Sequence, residues 1–367
     1  MAPVVRALGS DVRVETRVAL TGQHTSLVDQ VLEAFQLRPH YDLDIMRADQ
    51  TLYDVAHGCL DGLRRVVAEF EPDIVLVQGD TATVFFGSLV AFFERCLVGH
   101  VEAGLRSGRK WAPFPEEIFR RLTDTVTDLY FAPTREARDN LLAEGVPGDR
   151  ISVTGNTVVD ALLDVSERVH EPENESLAVA LSSGRRLVLL TAHRRESFGE
   201  PIREVFRAVR TLADQTGDVD ILYPVHPNPQ VLQPARELLA EHPRIHLTEP
   251  LGYLDLVTAL QNAALVLTDS GGIQEEAPTF GAPVLVLREV TERPEGVAAG
   301  VAILVGTDGD KILSEAGRLL GSEDARAGMA RAVNPYGDGR AGERIADVVV
   351  STLTESPRTT RDWAGPT

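Results

Sequence analysis

Acidic residues that terminate buried apolar runs are the first candidates for chemistry in this sequence. Asp80 closes the run Ile74 to Val77 through the turn Gly79-Asp80, and Glu102 comes directly after the run that ends at Val101. Glu116 and Glu117 follow Pro115 and so fall in the first turn of a helix, where the dipole favours carboxylates. Each has a bland reading: Asp80 as a helix N-cap, the Glu pair as first-turn charges, and Arg120 as an i,i+4 partner of Glu116. Taken together, Asp80, Glu102 and Glu116 follow three separate strand signals and could converge in one cleft. Grouped carboxylates push their pKa values apart, which supplies both an acid and a base.

The second half offers groups suited to phosphate. His193, Arg194 and Arg195 follow a buried strand in TAHRRESFG (191–199), and adjacent cations at a strand end suit a diphosphate. His226 in YPVHPNP (223–229) has the same placement, although a satisfied core histidine would read alike. TDSGGIQEEAP (268–278) is the most specific segment. Gly271 and Gly272 allow close approach to the backbone, Ser270 adds a hydroxyl, and the helix start offers free amides. Glu276, about one and a half turns on, is placed to take both hydroxyls of a ribose. LREVTERPEG (287–296) brings Arg293 to another strand-end loop. The Gly-x-Gly-x-x-Gly at 337–342 follows Asn-Pro-Tyr rather than a strand, so it does not support a dinucleotide cofactor.

The elements that must position these residues read as parallel α/β, with β-branched runs alternating with amphipathic stretches. Strands are predicted at 12–20, 73–78, 96–101, 129–133 and 151–154, then at 186–191, 219–225, 245–248, 264–268, 283–287 and 301–305. Helices are predicted at 26–35, 53–70, 135–144, 203–214 and 341–355, and residues 1–8 look like part of a helix, so an opening strand is missing. At 367 residues two domains are expected. The polar stretch 166–185 is the junction between an N-terminal domain at 1–168 and a nucleotide-binding domain at 169–340, with 341–360 packing back on the first. In open parallel sheets ligands sit beyond the carboxyl ends of the strands.

Composition excludes several classes of partner. Net charge is −19 with no basic stripe, so neither nucleic acid nor a membrane surface is an expected partner. Two cysteines and nine histidines without ligand spacing predict no disulfide framework and no metal. No apolar run approaches the ~18 residues of a spanning helix, and the N-terminus has no apolar signal region, so the expected location is the cytoplasm.

GDTAT (79–83), GHVEAGLRSG (99–108), PFPEEIFR (113–120), HRRESFG (193–199), VHPNP (225–229), TDSGGIQEEAP, TERPE (291–295) and NPYGDGRAGERI (334–345) together resemble the signature segments of the non-hydrolysing UDP-N-acetylglucosamine 2-epimerases. The resemblance runs in order along essentially the whole chain. It implies an α/β fold of two Rossmann-like domains (glycosyltransferase-B type) facing a cleft, a last helix crossing back to the first domain, a homodimer, and no cofactor. It implies that UDP is eliminated to give 2-acetamidoglucal and then re-added after protonation of C2 on the other face. By motif position Asp80, Glu102 and Glu116 correspond to catalytic carboxylates and His193 to a histidine beside the diphosphate. Arg120, Arg293, Ser270, Gly271 and Gly272 would hold phosphate or sugar oxygens, and Glu276 the ribose.

Some segments depart from that family pattern. Members begin with a strand and a Gly-Thr-Arg-Pro-Glu-Ala-Ile-Lys loop just before the Met-Ala-Pro-Val that opens this chain, and the loop's Arg and Lys have no counterpart here. Either Met1 is an internal methionine or the chain is truncated, and as written it is expected to be poorly stable or inactive. In TGQHTSLVDQVL (21–32) Gln23 and His24 fit, but Thr25 and Ser26 replace an Arg and a longer polar residue, and Gly58 stands where an Arg is expected. Those changes bear on activation by a second substrate molecule. Phe119 stands where the family has Asn. The alternatives are an epimerase on a related nucleotide sugar, a hydrolysing epimerase, a glycosyltransferase, or a nucleotide-sugar-binding pseudoenzyme. The glycosyltransferase reading lacks a Glu-x7-Glu pair, since Pro283 and Val284 occupy the second position.

Overall fold

A computed structural model describes residues 1–22, 25–47, 50–111 and 113–366, without the side chains of 25–27. It divides into two compact units, one of Met1–Ala161 with Tyr336–Gly365 and one of Leu162–Pro335. The division at Ala161/Leu162 falls inside the helix Thr157–Ser166, and the polar stretch after it carries a further helix, Glu175–Ser182.

In the first unit β1 (Ala19–Leu20) and β2 (Tyr41–Asp42) form a short parallel pair. A separate parallel sheet joins β3 (Ile74–Gln78), β4 (Leu97–Val101), β5 (Leu129–Ala132) and β6 (Ile151–Val153) in that order. The expected strand at 12–20 shrinks to its last two residues. Val12, Val14, Thr16 and Val18 alternate as a strand would, but Val12 is fully exposed and only Val14 packs against the core of the first unit. The outer edge of β3 faces an apolar cavity of about 480 Å³, lined by Leu8, Leu20, Tyr41, Val67, Val77 and Leu353 among others. After the chain returns, the helix Ala341–Thr354 lies against the helix Ala2–Gly9. Their approach is close enough that a Cβ on Gly342 would meet the Pro3 carbonyl at 2.9 Å. Residues 356–363 cover β6, where Trp363 donates its N–H to the Val153 carbonyl and the Val153 N–H bonds Asp362. An open sheet edge is thereby capped.

The second unit is a six-stranded parallel sheet of β7 (Arg186–Thr191), β8 (Val219–Pro224), β9 (Ile245–Thr248), β10 (Ala263–Thr268), β11 (Val284–Val286) and β12 (Ala302–Leu304). Its order is β12-β11-β10-β7-β8-β9, the doubly wound arrangement in which the chain reverses direction between the first and fourth strands. Both faces are covered, which is why its strands are continuous apolar runs. In β7, Val188 and Leu190 enter one core with Phe206, Val209 and Leu319, while Leu187 and Leu189 enter the opposite core with Leu177, Leu260 and Val284. Both units are thus Rossmann-like parallel α/β layers of the glycosyltransferase-B type.

Candidate active site

In the first unit, β3 and β4 run parallel with Gln78 beside Val101, so Asp80 and Glu102 leave the same end of the sheet. The turn between β3 and the helix Ala82–Phe93 needs Gly79, whose φ is +86°. A Cβ there would lie 3.7 Å from the Glu102 carboxylate, so the two strand ends are in contact range. Glu102 itself has φ +70°, a left-handed conformation that costs a non-glycine residue about 1–2 kcal/mol. Its N–H and that of Ala103 both donate to the Phe131 carbonyl, which fixes the turn on β5.

The helix Glu116–Val126 supplies the third carboxylate. Its first turn holds Glu116 and Glu117, and the two behave differently. Glu116 is partly exposed, while Glu117 is buried and accepts the N–H groups of Ser107 and Gly108. Arg120 pairs with Glu117 at 3.1 Å and with Asp80, not with the i−4 residue Glu116 as the spacing suggested. The burial of Glu117 turns the face of the helix so that Arg120 reaches the β3 turn. Phe119 stacks on Phe85 at 5.5 Å and lies edge-on to Phe86, so this substitution joins an aromatic cluster between two helices.

Beneath these groups lies a network that sequence reasoning missed. The fully buried His100 places Nδ1 2.6 Å from Asp124 and Nε2 2.8 Å from the Gly79 carbonyl. Arg106 donates to Asp124 at 2.6 Å and to Glu144 at 2.7 and 3.0 Å. Burial alone would raise the Asp124 carboxyl, but the His100 ring and the Arg106 guanidinium outweigh it and hold it below the usual carboxylate range.

In the second unit the residues cluster at the switch point, beyond the carboxyl ends of β7 and β10. Asp269, buried and immediately after β10, accepts the N–H groups of His193 and Arg194 at 2.7 Å each. Its second oxygen lies 3.7 Å from His193 Nδ1. Nothing in the local sequence announces this pairing, because its partners are 75 and 76 residues away. Burial lowers the pKa of His193, with Asp269 opposing and His226 and Arg194 adding to the shift. The exposed ring of His226 stacks on His193 at 5.5 Å.

Ser270 precedes the helix Gly271–Glu276, and its side chain does not cap that helix. A Cβ on Gly271 would be in ordinary contact with Glu292 at 3.5 Å and Arg194 at 3.7 Å, so these two side chains flank the start of the helix. The carboxyl of Glu276 folds back towards Gly272. Burial and then the neighbouring Glu275 push it up to about 7. Thr291 donates to Gln274 at 2.6 Å, and Arg293 pairs with the buried Glu275. The two most specific motifs are therefore bonded to one another. Arg293 reaches this site with one face of its guanidinium already engaged.

Gln23 and His24 lie outside the described residues. Gly58 packs on Ile45, where a Cβ would approach to 3.1 Å. Among the described residues no group of three or more His, Cys, Asp or Glu could hold a metal ion, and no helix is long and apolar enough to cross a membrane.

The family model described as UDP-N-acetylglucosamine 2-epimerase matches residues 6–350. The UDP-N-acetylglucosamine 2-epimerase of Salmonella typhimurium is 46% identical over 356 residues, covering 96% of this chain and 95% of that protein. The structure of S. aureus MnaA with UDP is 43% identical with a TM-score of 0.88, covering 99% of this chain and 96% of that one. A Neisseria meningitidis UDP-GlcNAc 2-epimerase bound to UDP-GlcNAc is 40% identical with a TM-score of 0.84, covering 97% and 96%. Likeness of this degree, sustained from one end of the chain to the other, means that it belongs to the UDP-N-acetylglucosamine 2-epimerase family.

Proposed function

We infer that this chain is a non-hydrolysing epimerase that interconverts UDP-N-acetylglucosamine and UDP-N-acetylmannosamine. The observation that carries the reading is the placement of Asp80 and Glu102 at adjoining strand ends, with Arg120 tying Asp80 to the helix that begins at Glu116.

The chemistry sets the requirement. The proton on C2 of the sugar is not beside a carbonyl, so removing it alone leaves a carbanion without an electron sink. Breaking the C1–O bond provides one: as a carboxylate takes the C2 proton, UDP leaves with the electron pair and a C1=C2 double bond forms, giving 2-acetamidoglucal. Protonation of C2 on the opposite face, with return of the UDP oxygen to C1, gives the epimer. No redox partner is needed.

Asp80, Glu102 and Glu116 are assigned the acid and base roles at C2. His193, neutral because burial lowers its pKa, donates a hydrogen bond to the leaving diphosphate. Ser270 and the Gly271 and Gly272 amides cradle phosphate, Glu276 takes the ribose hydroxyls, and Arg120, Arg293 and His226 contact phosphate or sugar oxygens. The same reading takes the enzyme to be cytoplasmic, on the class of its substrate, and a homodimer. Exposed Phe92, Phe93 and Leu122 on the packed helices Ala82–Phe93 and Glu116–Val126 supply apolar surface for a second copy.

NMR of UDP-N-acetylglucosamine in deuterated water, with this chain and with one extended upstream of Met1, tests the activity. Deuterium at C2 together with UDP-N-acetylmannosamine is the expected result. Free N-acetylmannosamine would instead identify a hydrolysing enzyme, and bound UDP without exchange a binding protein. A single-chain mass by light scattering would remove the dimer.

A further inference from the structure

We propose that His100, Asp124 and Arg106 form a buried positioning layer that holds the three carboxylates of the proposed reaction in register, with Asp124 as its centre. The inference rests on the epimerase reading for its activity readout and on the geometry for everything else.

One helix makes all the connections. Glu116, Arg120 and Asp124 are spaced i, i+4, i+8 and share a face of Glu116–Val126, with Glu117 beside them. Glu117 holds the loop after β4 through Ser107 and Gly108. Arg120 holds Asp80. Asp124 holds β4 through His100 and the loop through Arg106. The three segments that carry Asp80, Glu102 and Glu116 are thus fastened to one charged stripe.

The link to the β3 turn is specific. Gly79 donates its N–H to the Val101 carbonyl at 3.1 Å, and its own carbonyl accepts from His100 Nε2 at 2.8 Å. The residue before Asp80 is therefore clamped at both ends of its peptide unit. His100 thus bridges a carboxylate on the helix at Nδ1 and the carbonyl of the β3 turn at Nε2, joining the two through one fully buried ring. Arg121 also lies 3.6 Å from Glu144, so the margin of the cluster carries a second guanidinium.

Such a cluster is a poor way to gain stability. Buried ion pairs cost about as much in desolvation as they return, and well-packed apolar residues would serve as well or better. What apolar packing does not provide is direction. His100 and Asp124 are too deeply buried to touch a substrate, so their effect on turnover passes through the carboxylates they place.

Asp124→Asn keeps the shape of the centre and removes its charge. The full chain is compared with this variant for kcat, KM, UDP affinity and the nitrogen-15 NMR of the His100 ring. The expected result is UDP affinity and KM within about threefold of the parent and kcat lower by about 10²-fold, the cost of a misplacement near 1 Å. The His100 ring nitrogen signals should move between parent and variant, because Nδ1 loses its carboxylate partner. Should Asp124→Asn fail to fold, Glu144→Gln at the margin of the cluster takes its place, with an expected kcat loss of about tenfold and unchanged UDP affinity. Parent-like kcat in a folded variant overturns the proposal, as does an equal loss of kcat and UDP affinity, or ring nitrogen signals that do not move. If neither the parent nor a chain extended upstream of Met1 turns over, the epimerase reading fails, and the ring signals alone then decide whether this layer exists.

Discussion

At the scale of single residues, the positions that break local rules are the informative ones. Glu102 is held at a φ that glycine would occupy without cost, and a carboxylate kept there against about 1–2 kcal/mol of strain is expected to have a task. Glu102→Gln preserves the backbone and should leave the melting temperature within a degree or two while C2 deuterium exchange falls by at least about 10²-fold, the contribution typical of a placed acid–base group. Retained exchange would remove Glu102 from the chemistry. Glu276 breaks a different rule, since its carboxyl sits near 7 rather than at its ordinary 4.5. Between those values the folded protein keeps a proton that the unfolded chain has lost, so this group's contribution to stability declines as pH rises from about 4.5 to about 7. UDP binding runs the other way, because a carboxylate accepts ribose hydroxyls better than a carboxylic acid. Titration calorimetry in buffers of different ionisation enthalpy should show proton release near pH 6.5 and tighter binding at pH 8. Glu276→Gln should bind about tenfold more weakly with little pH dependence.

At the scale of elements, glycine positions separate tolerance from intolerance. Gly87 lies inside the helix Ala82–Phe93, and a Cβ there would meet Val77 at 3.4 Å, an ordinary contact on the wall of the apolar cavity. Gly87→Ala should stabilise by about 0.5–1 kcal/mol in denaturant unfolding. Gly104 has φ +85° and its added Cβ would sit 2.2 Å from the Ala137 carbonyl oxygen, so Gly104→Ala should cost at least about 3 kcal/mol in the same assay. Most elements were legible because a strand buried on both faces is a short apolar run and needs no partner to be recognised. All eleven expected strands have counterparts in the sheets, although of 12–20 only Ala19–Leu20 pairs, with Tyr41–Asp42. Tyr41–Asp42, two residues with no periodicity to read, was invisible. The site divides in the same way. Residues at strand ends could be named from their place in a motif, whereas Asp269, Asp124 and Arg106 owe their roles to partners 18 to 76 residues distant, and no local pattern encodes those.

At the scale of the whole molecule, the chain carries two cores of unequal quality. The second unit buries both faces of a continuous six-stranded sheet, while the first has a four-stranded sheet whose β3 edge borders a cavity of about 480 Å³. Side chains lining such a space lose dispersion partners on one side. Calorimetry should therefore resolve two transitions, with the first unit melting at the lower temperature. UDP at 100 times its Kd should add about 2.7 kcal/mol to the unit that carries most of its contacts, moving the upper transition by roughly 5–10 °C and the lower one by less. A single cooperative transition that moves as a whole would contradict this division.

The clamp that Asp269 places on the peptide of His193 and Arg194 joins β10 to β7, strands adjacent in the sheet but separated in sequence by two strands, β8 and β9, and three connections. Loop-closure entropy must be overcome across that whole interval before the clamp can form. The proposed phosphate cradle would accordingly be a long-range contact assembled late, and nascent or partly refolded chains would hold native-like strands while remaining blind to nucleotide. Recognition of UDP is in this sense a report that the sheet has finished ordering its strands.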